Sequence, residues 1–151
     1  METLHHVYDL KDCNCVLPTG FGKSLIFQLL PFIFQKKNNL HKPGITVVVT
    51  PLNSIMEDQV QHLSANGINA CCVDFEGRSR HAYENEHSND NESDQCQDSD
   101  EPSLLKMSVS LDDISSGHFC LVYCHPESLL TKRILDVWTK SFRSQLCAVV
   151  I

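Results

Sequence analysis

The sequence lacks the features that would place the protein in or across a membrane. Its 151 residues contain no apolar run of roughly eighteen or more residues, the length that a membrane-spanning helix needs. Residues 1–12 also lack the basic start and the apolar stretch of a secretory signal. We therefore expect an intracellular protein with no membrane partner.

The C-x-x-C pair that zinc sites favour is also missing, although the chain has eight cysteines. Six of the cysteines form three close pairs: Cys13 and Cys15, Cys71 and Cys72, and Cys120 and Cys124. Most lie within apolar runs, where a thiol packs as a small hydrophobic group. Cys124 and His125 could supply two metal ligands, but no second pair completes a site. We expect core thiols and no metal held by these cysteines.

A strong basic cluster is absent, and the net charge is −7. Residues 74–101 contain ten acidic and two basic side chains, whereas the rest of the chain has nine acidic and ten basic ones. Because the acidity is local, it does not exclude a nucleic-acid partner for the folded part. Residues 81–102 have almost no large apolar side chains, so we expect a disordered acidic insertion at about residues 78–107. An acidic partner-binding loop is the alternative.

Apolar runs alternate with amphipathic stretches along the rest of the chain. Strands are expected at residues 13–17, 45–50, 68–73, 119–123 and 146–151, and helices at residues 23–35, 52–66 and 127–142. Gly67 is expected to end the second of these helices. Strands and helices in this order predict right-handed crossovers and an α/β fold with a mainly parallel sheet.

The most specific motif is the phosphate loop, which we define as Thr19, Gly20, Phe21, Gly22, Lys23 and Ser24. It follows a predicted strand and opens a predicted helix, as a phosphate-binding loop requires. Glycines let the backbone approach phosphates closely, and the helix start contributes a positive dipole. The sequence therefore predicts an ATP site at these six residues. A chance glycine turn before a helix is the alternative.

Two side chains of the phosphate loop are predicted to be catalytic. The Lys23 ammonium can reach the β- and γ-phosphates of ATP, and the Ser24 hydroxyl can be a ligand of Mg²⁺. The common pattern has a glycine where this chain has Leu17. A variant without that first glycine is usual in helicases.

Three segments together resemble one protein family. Residues 17–31, which read Leu-Pro-Thr-Gly-Phe-Gly-Lys-Ser-Leu-Ile-Phe-Gln-Leu-Leu-Pro, resemble motif I of the RecQ-family DNA helicases of superfamily 2. Residues 47–60 resemble motif Ia of that family, and residues 121–130 resemble motif Ib. The resemblance covers most of the chain outside residues 78–107. It implies that residues 1–151 are an incomplete first lobe with a RecA-like three-layer sandwich, which binds ATP, Mg²⁺ and a DNA strand.

A nucleic-acid site is predicted beside the ATP site. The predicted contact residues are Thr50, from its position at a strand end, and, from the resemblance, Pro51, Leu52, Pro126 and Glu127. Hydroxyls and free N–H groups at Thr50 and Ser54 can hold a phosphate, although simple helix capping is the alternative for these two residues. Because ligands bind at the carboxyl ends of parallel strands, we expect the phosphate loop and both motifs at one edge of the sheet.

The resemblance implies an ATP-dependent 3′-to-5′ DNA helicase located in the nucleus. The D-E-x-H box, the arginine finger and the zinc-binding cysteines of the family have no counterpart among these residues. We therefore expect a fragment with weak ATP binding at best and no unwinding activity of its own. The alternatives are a catalytically inactive nucleotide- or nucleic-acid-binding module, a superfamily 2 RNA helicase, and an unrelated phosphate-loop enzyme such as a small kinase.

Overall fold

The structure is a computed structural model, and it describes residues 2–73, 79–80, 108–109, 113–114, 116–141 and 144–151. Most of the predicted acidic insertion, residues 81–107, lies outside the described residues. Ser79–Arg80 at its start forms a short strand. No helix within the described part of the chain is long and apolar enough to cross a membrane.

The described part of the chain contains both helices and strands. The helices are α1 (Glu2–Tyr8), α2 (Lys23–Lys37), α3 (Asn53–Ala65), α4 (Pro126–Leu129) and α5 (Lys132–Asp136), which a π-helical turn over Val137–Ser141 follows. The strands are β1 (Ile45–Val49), β2 (Ala70–Val73), β3 (Ser79–Arg80), β4 (Ser108–Val109), β5 (Leu121–Cys124) and β6 (Leu146–Val150).

The strands form one sheet in the order β4-β3-β2-β5-β1-β6. β2, β5, β1 and β6 are parallel to one another, and β3 and β4 extend the sheet with antiparallel pairing. Cys124 of β5 is in register with Val49 of β1 and with Val73 of β2. The carboxyl ends of three strands therefore coincide, and the predicted α/β fold with a mainly parallel sheet is confirmed.

Helices cover both faces of the sheet. On one face, α3 and α2 pack against β1, β2 and β5 through Met56, Val60, Leu63 and Phe27. On the other face, α5 and the π-helical turn pack against the same strands through Ile134 and Trp138. All five residues of β1 are buried, as the continuous β-branched run predicts for a strand covered on both faces. These three layers match the predicted RecA-like sandwich.

Residues 13–17 form no strand, so that prediction is wrong. Val16 is 87% exposed, and the Cys15 thiol accepts a hydrogen bond from Thr3. An apolar segment becomes a strand only where a neighbouring strand completes its backbone hydrogen bonds. No described strand pairs with this segment, so the phosphate loop follows irregular backbone.

The single helix predicted for residues 127–142 is also wrong. Leu130 and Thr131 separate α4 from α5, and the chain then continues as the π-helical turn. Thr131 Oγ1 donates a hydrogen bond to Ser128 O at 2.9 Å, a local contact that competes with continuous helix. The other predicted elements agree with the structure to within two residues at each end.

Gly67 ends α3 as predicted. Its φ of 73° lies in the left-handed region, which glycine adopts without strain. The Gly67 and Ile68 amides donate to the carbonyls of Ser64 and Leu63, each at 2.9 Å. These two bonds close the last turn of the helix and turn the chain toward β2.

Helix α1 had no sequence-based prediction. It lies against the end of α2, where Lys37 Nζ donates to the Tyr8 carbonyl and lies 4.2 Å from the centre of the Tyr8 ring. The contact combines a charge-assisted hydrogen bond with a cation–π interaction.

Candidate nucleotide- and nucleic-acid-binding edge

Helix α2 directs the phosphate loop to the carboxyl edge of the sheet. At the amino end of β1, the Gly44 amide donates to Pro31 O at 3.3 Å. One turn earlier in α2, the Phe27 ring lies 6.5 Å from the ring of Tyr123, near the carboxyl end of β5. The helix therefore runs antiparallel to the strands, and Lys23 at its start lies toward their carboxyl ends.

The two glycines of the phosphate loop have the backbone that the motif predicts. Gly20 has φ 86° and Gly22 has φ 76°, both in the left-handed region. A Cβ at either position would have no neighbour within 4 Å, so the surface above the loop is open. Gly22 is the N-cap of α2 and supplies no side chain to cap it. The first backbone N–H groups of α2 are therefore available to an anion.

The Lys23 side chain folds back over the loop. Its Nζ donates hydrogen bonds to Leu17 O at 2.9 Å and to Pro18 O at 3.0 Å. Both acceptors are neutral carbonyls, and Lys23 is exposed. A phosphate oxygen would be the stronger acceptor for an ammonium group. Ser24, the predicted Mg²⁺ ligand, follows in the first turn and is half-buried.

The ends of β1 and β5 lie side by side at the same edge. The Thr50 amide, just past β1, donates to Cys124 O at 3.1 Å. His125, just past β5, has its Nε2 at 2.6 Å from Asn53 Oδ1 at the start of α3. Motif Ia and motif Ib therefore meet directly, and the predicted shared edge is confirmed for them.

Each predicted nucleic-acid residue lies at this edge. Thr50 is half-buried, whereas Pro51, Leu52, Pro126 and Glu127 are exposed. The α3 N-cap is Leu52, and neither Thr50 nor Ser54 makes a described side-chain hydrogen bond to the helix start. The described hydrogen bonds therefore show no capping of α3 by these two hydroxyls. The first N–H groups of α3 have no side-chain cap, so they can donate hydrogen bonds to an anion.

Two polar contacts at this edge involve partners that the sequence did not identify. Asn53 had no predicted role, although its position directly after a strand end was a signal of a site residue. Gln28 appeared only as part of the motif I resemblance, and its Nε2 donates to Gln59 Oε1 at 2.7 Å. That contact depends on how α2 and α3 pack against each other, which the local sequence of neither helix predicts.

The buried cysteines pack in the core, as predicted. Cys71, Cys120 and Cys124 are at most 7% exposed. Burial raises the pKa of the Cys120 and Cys124 thiols to about 11, so they are neutral near pH 7. Within the described ranges, no group of three or more His, Cys, Asp or Glu residues could hold a metal ion.

The sequence is similar to those of known helicases. The family description "DEAD/DEAH box helicase" matches residues 1–100. The chain is 44% identical to the ATP-dependent DNA helicase RecQ of Synechocystis sp. over 63 residues, which are 42% of this chain and 12% of that protein. It is 28% identical to the RecQ of Haemophilus influenzae over 150 residues, which are 99% of this chain and 18% of that protein. It is 43% identical to the RecQ-like DNA helicase BLM of Xenopus laevis over 60 residues, which are 40% of this chain and 4% of that protein.

Proposed function

The chain belongs to the DEAD/DEAH box helicase family, and we propose that it binds ATP with Mg²⁺ at the phosphate loop and a DNA strand beside it. The observation that supports this most is the common edge. The phosphate loop opens α2 toward the carboxyl ends of the strands, where α3 and α4 also begin. Ligands of open parallel sheets bind at that edge.

The phosphate loop has the donors that a triphosphate requires. The uncapped N–H groups at the start of α2 would bind phosphate oxygens, and the helix dipole favours their negative charge. Lys23 would exchange its bonds to the Leu17 and Pro18 carbonyls for bonds to the β- and γ-phosphates. The Ser24 hydroxyl would hold Mg²⁺, which would offset the negative charge of the triphosphate.

The start of α3 has donors that suit the nucleic-acid backbone. Its uncapped N–H groups, together with the Thr50 hydroxyl, would bind a phosphate. The exposed Leu52 and Pro126 would contact sugar or base surface beside it. Ionised Glu127 only accepts hydrogen bonds, so it suits a sugar hydroxyl or a base amine rather than a phosphate.

The similarity to RecQ proteins supports a finer proposal. We infer that residues 1–151 are part of the first RecA-like lobe of an ATP-dependent 3′-to-5′ DNA helicase. The chain spans less than a fifth of the length of the RecQ relatives described above. Unwinding is therefore proposed for a longer protein, and the residues described here would bind ATP and DNA without unwinding. A nuclear location belongs to the same proposal and rests on the resemblance to the RecQ family, whose matched relatives include a vertebrate protein as well as bacterial ones.

A binding experiment tests the proposed function. Fluorescence anisotropy would compare a labelled single-stranded DNA with an RNA of the same sequence, each with and without Mg²⁺ and adenylyl imidodiphosphate, a non-hydrolysable ATP analogue. We expect DNA binding that changes when the nucleotide is added. Tighter binding to RNA would favour an RNA helicase. DNA affinity that is the same with and without the nucleotide would favour a simple binding module.

A further inference from the structure

An amide pair joins the phosphate-loop helix to the motif Ia helix. Gln28 Nε2 of α2 donates a hydrogen bond to Gln59 Oε1 of α3 at 2.7 Å, and the contact is partly buried. Among the described side chains, no other hydrogen bond joins these two helices. Partial burial strengthens the bond because little water competes for the two amides.

Strand β5, which carries motif Ib, lies against Gln28 and its neighbour Phe27. Tyr123 of β5 is 1% exposed, and its ring meets Phe27 edge to face at 77°. Burial raises the pKa of the Tyr123 hydroxyl well above its usual value, and the neighbouring Gln28 amide opposes that rise. The hydroxyl makes no hydrogen bond of ordinary geometry. Gln28 therefore lies where α2, α3 and β5 converge.

Gln28 and Gln59 each lie within two helical turns of a helix start at which we propose that a ligand binds. Gln28 is about one helical turn beyond Ser24. Gln59 is less than two turns beyond Asn53, whose side chain bonds to His125. A displacement of either helix start therefore reaches the amide pair through one or two turns of rigid helix.

We propose that Gln28 and Gln59 are positioning residues that couple ATP binding at the phosphate loop to DNA binding at the start of α3. This inference rests on the proposed function. When Lys23 releases the Leu17 and Pro18 carbonyls, the first turns of α2 change position. The hydrogen bond between Gln28 and Gln59 carries that change to α3. Coupling is reciprocal, so DNA changes ATP affinity by the same factor as ATP changes DNA affinity. A neutral hydrogen bond limits that factor to about tenfold.

The test measures ATP affinity with and without DNA on the whole 151-residue chain. Titration calorimetry would give the Kd of MgATP alone and with a saturating single-stranded 20-nucleotide DNA, and the ratio of the two values is the coupling factor. Gln28→Met and Gln59→Met keep the length of the side chain and remove the hydrogen bond. We expect each to bring the ratio close to one while the Kd of MgATP alone changes less than about twofold. The double variant should lose no more than either single one, because both remove the same bond.

A conservative variant and a matched control separate coupling from folding. Gln28→Glu should keep the coupling, because the Gln59 amide can rotate and donate its NH₂ group to the carboxylate. Gln61→Met changes an exposed glutamine on the same helix and should leave the ratio unaltered. An unchanged ratio in Gln28→Met overturns the coupling and leaves the proposed function intact. Wild-type protein that binds neither MgATP nor the oligonucleotide overturns both.

Discussion

The Nε2 atom of His125 lies 2.6 Å from the Oδ1 atom of Asn53, although the two residues are 72 positions apart. An amide oxygen only accepts hydrogen bonds, so the imidazole donates from Nε2. The bond ties the end of β5 to the start of α3. It therefore holds motifs Ia and Ib in a fixed relation at the edge where we propose that DNA binds.

Removal of this bond should weaken DNA binding. His125→Ala is expected to raise the Kd for a single-stranded oligonucleotide about fivefold. This factor corresponds to the loss of one hydrogen bond that holds the start of α3 in position. The Kd of MgATP should change little. His118→Ala alters an exposed histidine three residues before the opposite end of β5 and serves as the control. An equal loss of DNA affinity in both variants would contradict a local role for His125.

The burial of β1 was predictable from residues 45–50, because a nearly continuous β-branched run suits only a strand covered on both faces. The glycine conformations of the phosphate loop were predictable for a similar reason, since the motif requires them. The irregular backbone at residues 13–17 was not, because strand formation depends on a neighbouring strand. The contact between Gln28 and Gln59 depends on the packing of two helices, which neither local sequence encodes.

The start of β1 has no room for a side chain at residue 44. A Cβ on Gly44 would lie 2.0 Å from Cys147 Sγ and 3.0 Å from Gln145 O. Gly44→Ala should therefore lower the free energy of unfolding by about 1–3 kcal/mol, the usual cost of overpacking. Urea denaturation of the single and double variants checks this. Cys147→Ala removes Sγ and should recover part of the loss, whereas strictly additive effects would show that the two side chains do not clash.

Stability should fall in alkaline solution. Burial raises the pKa of Cys120 and Cys124 from 9.0 to about 11, so between these values the unfolded chain loses protons that the folded protein retains. The contribution of these two thiols to the free energy of unfolding should be constant below about pH 9. Above that pH it should fall by up to about 1.4 kcal/mol per pH unit for each thiol.

Urea midpoints at pH 8, 9 and 10.5 measure this dependence. Cys124→Ala should make the alkaline decline shallower, because the variant lacks one of the shifted groups. Cys13→Ala changes an exposed thiol and should leave the decline as it is in the wild type. A midpoint that stays constant up to pH 10.5 would disagree with the buried, neutral state of these thiols.

The Tyr123 hydroxyl should contribute nothing favourable to folding. It is buried and makes no hydrogen bond of ordinary geometry, so the folded state bears its desolvation cost. Tyr123→Phe should leave the thermal midpoint unchanged or raise it. The corresponding gain in the free energy of unfolding should be about 1 kcal/mol at most. Tyr8→Phe, at a ring that is 43% exposed, is the matched control. A clear loss of stability in Tyr123→Phe alone would mean that the hydroxyl has a strong partner.

The most direct test of nucleotide binding at the phosphate loop is calorimetric titration of MgATP into the wild-type protein and into Lys23→Ala. The ammonium group now bonds to the Leu17 and Pro18 carbonyls, and we propose that it transfers to the phosphates. Loss of a charge-assisted contact should raise the Kd for MgATP about tenfold or more, while the circular dichroism spectrum stays that of the wild type. Equal affinities in the two proteins would contradict an ATP site at this loop.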